Sequence, residues 1–142
     1  MHGVIRSPAQ VFALVAGLAL TTGGVAGFFW DASFATGDGV ARDAVLGLLD
    51  VNGWHNLAHI ASGVLGLLLA ASWGGARAYA IALGAVYAAL AIAGFIAGDG
   101  GTLLGLLPVN TGDNVLHALI ALWGLAAGIG TPPVPAPTTA AG

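Results

Sequence analysis

Eight residues with hydrogen-bonding or metal-ligating side chains fall into two matching sets. Asn52, His55, Asn56 and His59 form one, and Asn110, Asp113, Asn114 and His117 the other. Corresponding members are 58 positions apart, and each set follows Leu-Leu-x-Val and opens an apolar run. Imidazole nitrogens with a carboxylate oxygen are donors that zinc and other borderline divalent ions accept. His55, His59, Asp113 and His117 would supply three nitrogens and one oxygen. His59 and His117 alone would instead suit a bis-histidine haem between helices. The third possibility is structural: a polar cluster of Asn52, Asn56, His59, Asn110, Asn114 and His117 that hydrogen-bonds between helices and sets their register. That structural or helix–helix role is the first expectation, with metal or haem binding as the alternative. Asn52 and Asn110 stand where helices should begin, and asparagine is among the best N-caps. His55 lies off the centre of the Asn-Asn-His face, so it can face a different neighbour. No catalytic residue stands out: there is no nucleophile–base pair, phosphate-binding loop or paired carboxylate, and an enzyme is not expected.

These residues sit in a very apolar chain. Of 142 residues 58% are hydrophobic and 6% charged, with a mean hydropathy of +0.93. Soluble domains carry about a quarter charged residues, so lipid must be the main solvent here. The chain has no cysteine, which removes disulfides and thiolate chemistry. The net charge is −3 with no basic cluster, so nucleic acid is not an expected partner. The expected partners are the lipid bilayer and a second copy or another membrane protein.

Four apolar segments approach the roughly 20 residues that cross a bilayer as a helix: about 8–30, 53–73, 78–98 and 112–130, the fourth being the shortest. The first could be read as a cleaved signal, but it is itself repeated. Phe12, Gly17, Gly27 and Phe28 match Tyr79, Gly84, Gly94 and Phe95, all 67 positions on. The expected fold is an all-α integral membrane four-helix bundle, residues 1–130, made by parallel duplication of a two-helix unit. A pseudo-two-fold axis would then run along the membrane normal. The small residues Gly63 and Gly66, and Ala121, Gly124 and Gly128, continue the polar faces and favour close helix approach. The Leu-Gly-Leu-Leu stretches at 46–49 and 104–107 are expected to lie in the interface and lead into the next helix. Asp31, Asp38 and Asp99 are expected to be solvated loop charges, and Asp50, whose counterpart is Pro108, falls outside the repeated set. Residues 131–142 are Pro-, Thr- and Ala-rich and expected to be disordered.

Arg6 and Arg77 fall on one side of the segments, while Asp31, Asp38, Asp43, Asp50 and Asp99 share the other with Arg42. By the positive-inside rule both termini would be cytoplasmic, in a multi-pass protein of the inner or plasma membrane.

The runs FALVAGLALTTGGVAGF, LLGLLDVNGWHNLAHIASGVLGLL and GLLPVNTGDNVLHALIALWGLA resemble the bacterial membrane family called domain of unknown function 4383 (DUF4383). The resemblance covers about residues 10–130. It implies small four-helix membrane proteins that pair Val-Asn-x-x-His-Asn-x-x-His with Asn-Thr-x-Asp-Asn-x-x-His, and it implies no activity. The motif positions Asn52, His55, Asn56, His59, Asn110, Asp113, Asn114 and His117 are all present.

Overall fold

The computed structural model describes residues 6–40 and 43–133. Helix α1 (Pro8–Gly27) is followed by a 3-10 turn at Gly37–Gly39 and a hairpin of β1 (Asp43–Val45) and β2 (Leu49–Val51). Helices α2 (Gly53–Leu69) and α3 (Trp73–Ala97) lead to a second hairpin, β3 (Gly101–Leu103) and β4 (Leu107–Val109), then α4 (Thr111–Gly130). The result is a four-helix bundle with two short antiparallel hairpins at one end.

Each helix starts where a side chain can cap it. Ser7 and Gln10 form a capping box with Pro8 at the first position, and Ser72 accepts from the Gly75 N–H. Asn52 and Asn110 cap α2 and α4, accepting from the third residue of each helix at 2.9 and 3.0 Å. Such caps satisfy amides that a helix start leaves unpaired.

Helices α1, α3 and α4 are long and apolar enough to cross a membrane. Helix α2 has 17 residues, about 26 Å at 1.5 Å per residue, so the second segment rather than the fourth is the shortest. Helix α3 starts at Trp73, five residues before the expected position, because Ser72 caps it there.

Glycine sets the close crossings. A side chain at Gly17 would meet the Gly63 carbonyl at 2.9 Å, and one at Gly84 would meet the Leu125 amide at 2.8 Å. The core at the end opposite the hairpins centres on Phe12, Tyr79 and the alanines of α1 and α3. Trp123 is half-exposed and sets its ring edge-on to Phe12, centroids 5.0 Å apart.

That end is also latched. Thr131 is fully buried: its Oγ1 accepts from the Ala9 N–H and donates to the Ala127 carbonyl. The Thr131 carbonyl accepts from Arg77 Nε, and the Pro132 carbonyl from Trp73 Nε1. Thus the expected disordered tail begins with an anchored turn; residues 134–142 lie outside the described part.

The Leu-Gly-Leu-Leu stretches form hairpin turns rather than interfacial lead-ins. Leu46 and Gly47 have φ of 53° and 70°, and Leu104 and Gly105 have 56° and 63°. Two successive positive φ values, with the closing Leu48 N–H to Val45 and Leu106 N–H to Leu103 bonds at 3.0 Å, are the pattern of a type I′ turn. Leucine there is strained, at about 1–2 kcal/mol per residue.

Candidate metal centre

The hairpins close the acidic end of the bundle, and the two polar sets lie beneath them. A helix turns about 100° per residue, so His55 and Asn56 point in clearly different directions. The structure separates the asparagines from the histidines accordingly.

The inner asparagines work within their own helix pair. Asn56 is buried, packs on Gly27 of α1, and donates through Nδ2 to the Asp31 carbonyl at 2.8 Å. Asn114 is equally buried and packs on Gly94 of α3. Glycine is needed at 27 and 94 because a Cβ would occupy the space of the amide group. The capping asparagines reach across to the other pair. Asn52 Nδ2 donates to the Leu106 carbonyl at 2.6 Å, and Asn110 Nδ2 to Asp50 Oδ1 at 3.0 Å.

Histidines from both pairs meet. His55, His59 and His117 each present a ring nitrogen within 4.8 Å of the other two. The His55 ring lies 4.5 Å from that of His59 and 6.0 Å from that of His117, centroid to centroid. His55, the residue placed off the Asn-Asn-His face, is therefore central to the cluster. Its Nδ1 lies 2.8 Å from the Asp50 carbonyl. A carbonyl only accepts, so Nδ1 carries the proton and Nε2 keeps its lone pair, the tautomer a metal-ligating imidazole needs. His117 is 4% exposed and its Nδ1 has no hydrogen-bond partner. A buried polar atom left so costs about 1–3 kcal/mol, which a ligand would recover. Tyr87 sets its ring edge-on to His117, centroids 5.1 Å apart.

Asp113, the fourth sequence candidate, is directed elsewhere. Its Oδ2 accepts from the Asp50 N–H at 3.0 Å and the Asn110 N–H at 3.1 Å, completing the cap of α4. Asp50 thereby becomes the link between halves: its carbonyl orients His55, its amide holds Asp113 and its carboxylate holds Asn110. The sequence signal for it was a pair of broken matches. Asp50 against Pro108 and His55 against Asp113 depart from the repeat, and Asp50 contacts both His55 and Asp113. Asp31 also departs from expectation: it is 9% exposed rather than solvated, with Oδ1 accepting from the Ser33 N–H. Asp38 and Asp99 are exposed, as expected of loop charges.

Fold and site together define a helical bundle with three membrane-length helices and a tri-histidine cluster beneath a β-hairpin cover. The chain belongs to the family described as Domain of unknown function (DUF4383), whose model matches residues 10–130. No curated protein and no solved structure matches it.

Proposed function

We propose that this is a multi-pass membrane protein whose His55, His59 and His117 hold one borderline divalent ion, zinc or a similar metal. The observation that carries this is the convergence of three ring nitrogens within 4.8 Å, drawn from helices α2 and α4. Zinc–nitrogen bonds of about 2.0–2.1 Å in tetrahedral geometry place ligand nitrogens about 3.3 Å apart, so modest ring rotations would close the set. Three protein nitrogens leave a fourth position open, the pattern of reactive rather than structural zinc sites. The Asp50 carbonyl behind His55 supplies the outer-shell hydrogen bond that such ligands need. Haem is the weaker fit: a macrocycle between His59 and His117 would displace His55, whose ring packs against both. The asparagines carry the structural role, as caps and as partners of Gly27 and Gly94.

We further take the two helix pairs as a parallel duplication. The hairpins support this, because both the strands and the left-handed turns recur 58 positions apart. Arg6 and Arg77 lie at the latched end and the aspartates at the hairpin end, which favours cytoplasmic termini.

The test is elemental analysis of detergent-purified protein exposed to Zn2+ or Co2+ and then desalted. One ion per chain is expected, lost in His59→Ala and in His117→Ala and kept in Asp113→Asn. A folded wild-type chain that retains no metal would refute the assignment.

A further inference from the structure

The histidine cluster divides two cavities that the pseudo-two-fold axis exchanges. The larger, about 480 Å3, lies in the seam between α1 and α4 under the first hairpin; the smaller, about 120 Å3, lies between α3 and α2 under the second. Hairpin residues reach in at matching places: Val45, Leu49 and Val51 into one, Leu103, Leu107 and Val109 into the other. The difference comes from α1 and α3. Where α3 fills its seam with Leu83, Val86, Tyr87 and Leu90, α1 places Ala16, Ala19, Leu20 and Gly23, each 67 positions earlier. One seam is narrowed to a small cavity and its mate holds one about four times larger.

We infer that the α1/α4 cavity binds a single-chain lipophile that enters sideways from the bilayer and sets an oxygen-donor head against the histidine cluster. Three observations choose this occupant. The volume falls in the range of small-molecule sites, about 300–1,000 Å3. The walls are apolar except at the inner end, where His55, His59, His117 and Asp113 gather. Its lining residues Val15, Ala19, Leu119 and Trp123 on α1 and α4 are exposed, so it is reached from the apolar sides of these helices. Only the head-group contact rests on the metal assignment above; the apolar body of the site does not.

The experiment uses the full chain in lipid nanodiscs, with and without Co2+, titrated with decanoate and followed by calorimetry and cobalt absorption. Wild type should bind one decanoate saturably, with a change in the cobalt spectrum. Gly23→Leu, which gives α1 the residue of α3, should weaken binding at least tenfold while Co2+ is still retained. A Cβ at Gly23 meets nothing within 4 Å, so this variant should fold; Ala19→Val, copying Val86, is the second test. Non-saturable uptake, equal in wild type and both variants, means bulk lipid partition only and overturns the proposal. Saturable binding blocked by Gly23→Leu in a chain that holds no Co2+ supports the cavity and refutes the metal.

Discussion

The two halves of this bundle share their backbone devices and differ in most of their side chains, and the two kinds of position do different work. Shared positions build the fold: an asparagine cap, an inner asparagine on a glycine, and a hairpin with a left-handed Leu-Gly turn occur in each half. The site draws on both kinds: His59 and His117 are a matched pair, and unshared positions complete it. His55 against Asp113, Asp50 against Pro108 and the small residues of α1 against the large ones of α3 shape the histidine cluster and its open cavity. Matched positions give the architecture and two of the three histidines, and the third comes where the match breaks.

That contrast can be broken most sharply at its symmetric points. Gly27→Leu and Gly94→Leu should each destabilise the protein by about 2–4 kcal/mol, since both drive a side chain into a buried asparagine. Thermal unfolding in one detergent should give similar losses; a large loss in one half alone would mean the halves are not equivalent. Next comes an asymmetric point. Asp50→Ala removes the carboxylate that accepts from Asn110 and should cost about 1.5–3 kcal/mol. A loss under about 0.5 kcal/mol would show that this carboxylate does not tie the halves together.

The hairpin turns offer a gain instead of a loss. Leu46→Gly and Leu104→Gly should each raise stability by about 1 kcal/mol by relieving a left-handed leucine, read as a higher melting temperature. A drop in both would show that these exposed side chains are held by lipid or a partner. The smallest effect concerns pH. Hydrogen bonds from the Thr111 hydroxyl and amide hold the exposed Asp99 carboxyl below its usual value. Its folded pKa is depressed, so its contribution is present above the ordinary carboxylate pKa of about 3.9 and is lost as pH falls through the folded value. Asp99→Asn should flatten the acid limb of a stability profile slightly; an unchanged limb would show that the contact contributes nothing.

Much of this was legible in the residues. Four apolar segments, the caps at Asn52 and Asn110 and the glycine-lined crossings follow from hydropathy and local chemistry. The hairpins were hidden because type I′ turns are usually marked by Asn-Gly or Gly-Gly, and leucine in the left-handed region masks the signal. By spacing, residues 52, 56 and 59 form one stripe, which masks the separation of histidines from asparagines. That stripe is wide enough for its two edges to meet different helices, which is why Asn56 packs on Gly27 of α1 and His59 reaches His117. Asp50 falls outside the matched set, and it is tertiary contact that gives it three partners in the other half and in α2.

The latch at Thr131 bears on how the protein is made. The Ala9 amide belongs to the first turn of the first helix, and its partner hydroxyl lies 122 residues later. During synthesis that end of α1 therefore stays unfinished until α4 has emerged. Completion of the last helix is then the event that seals the first.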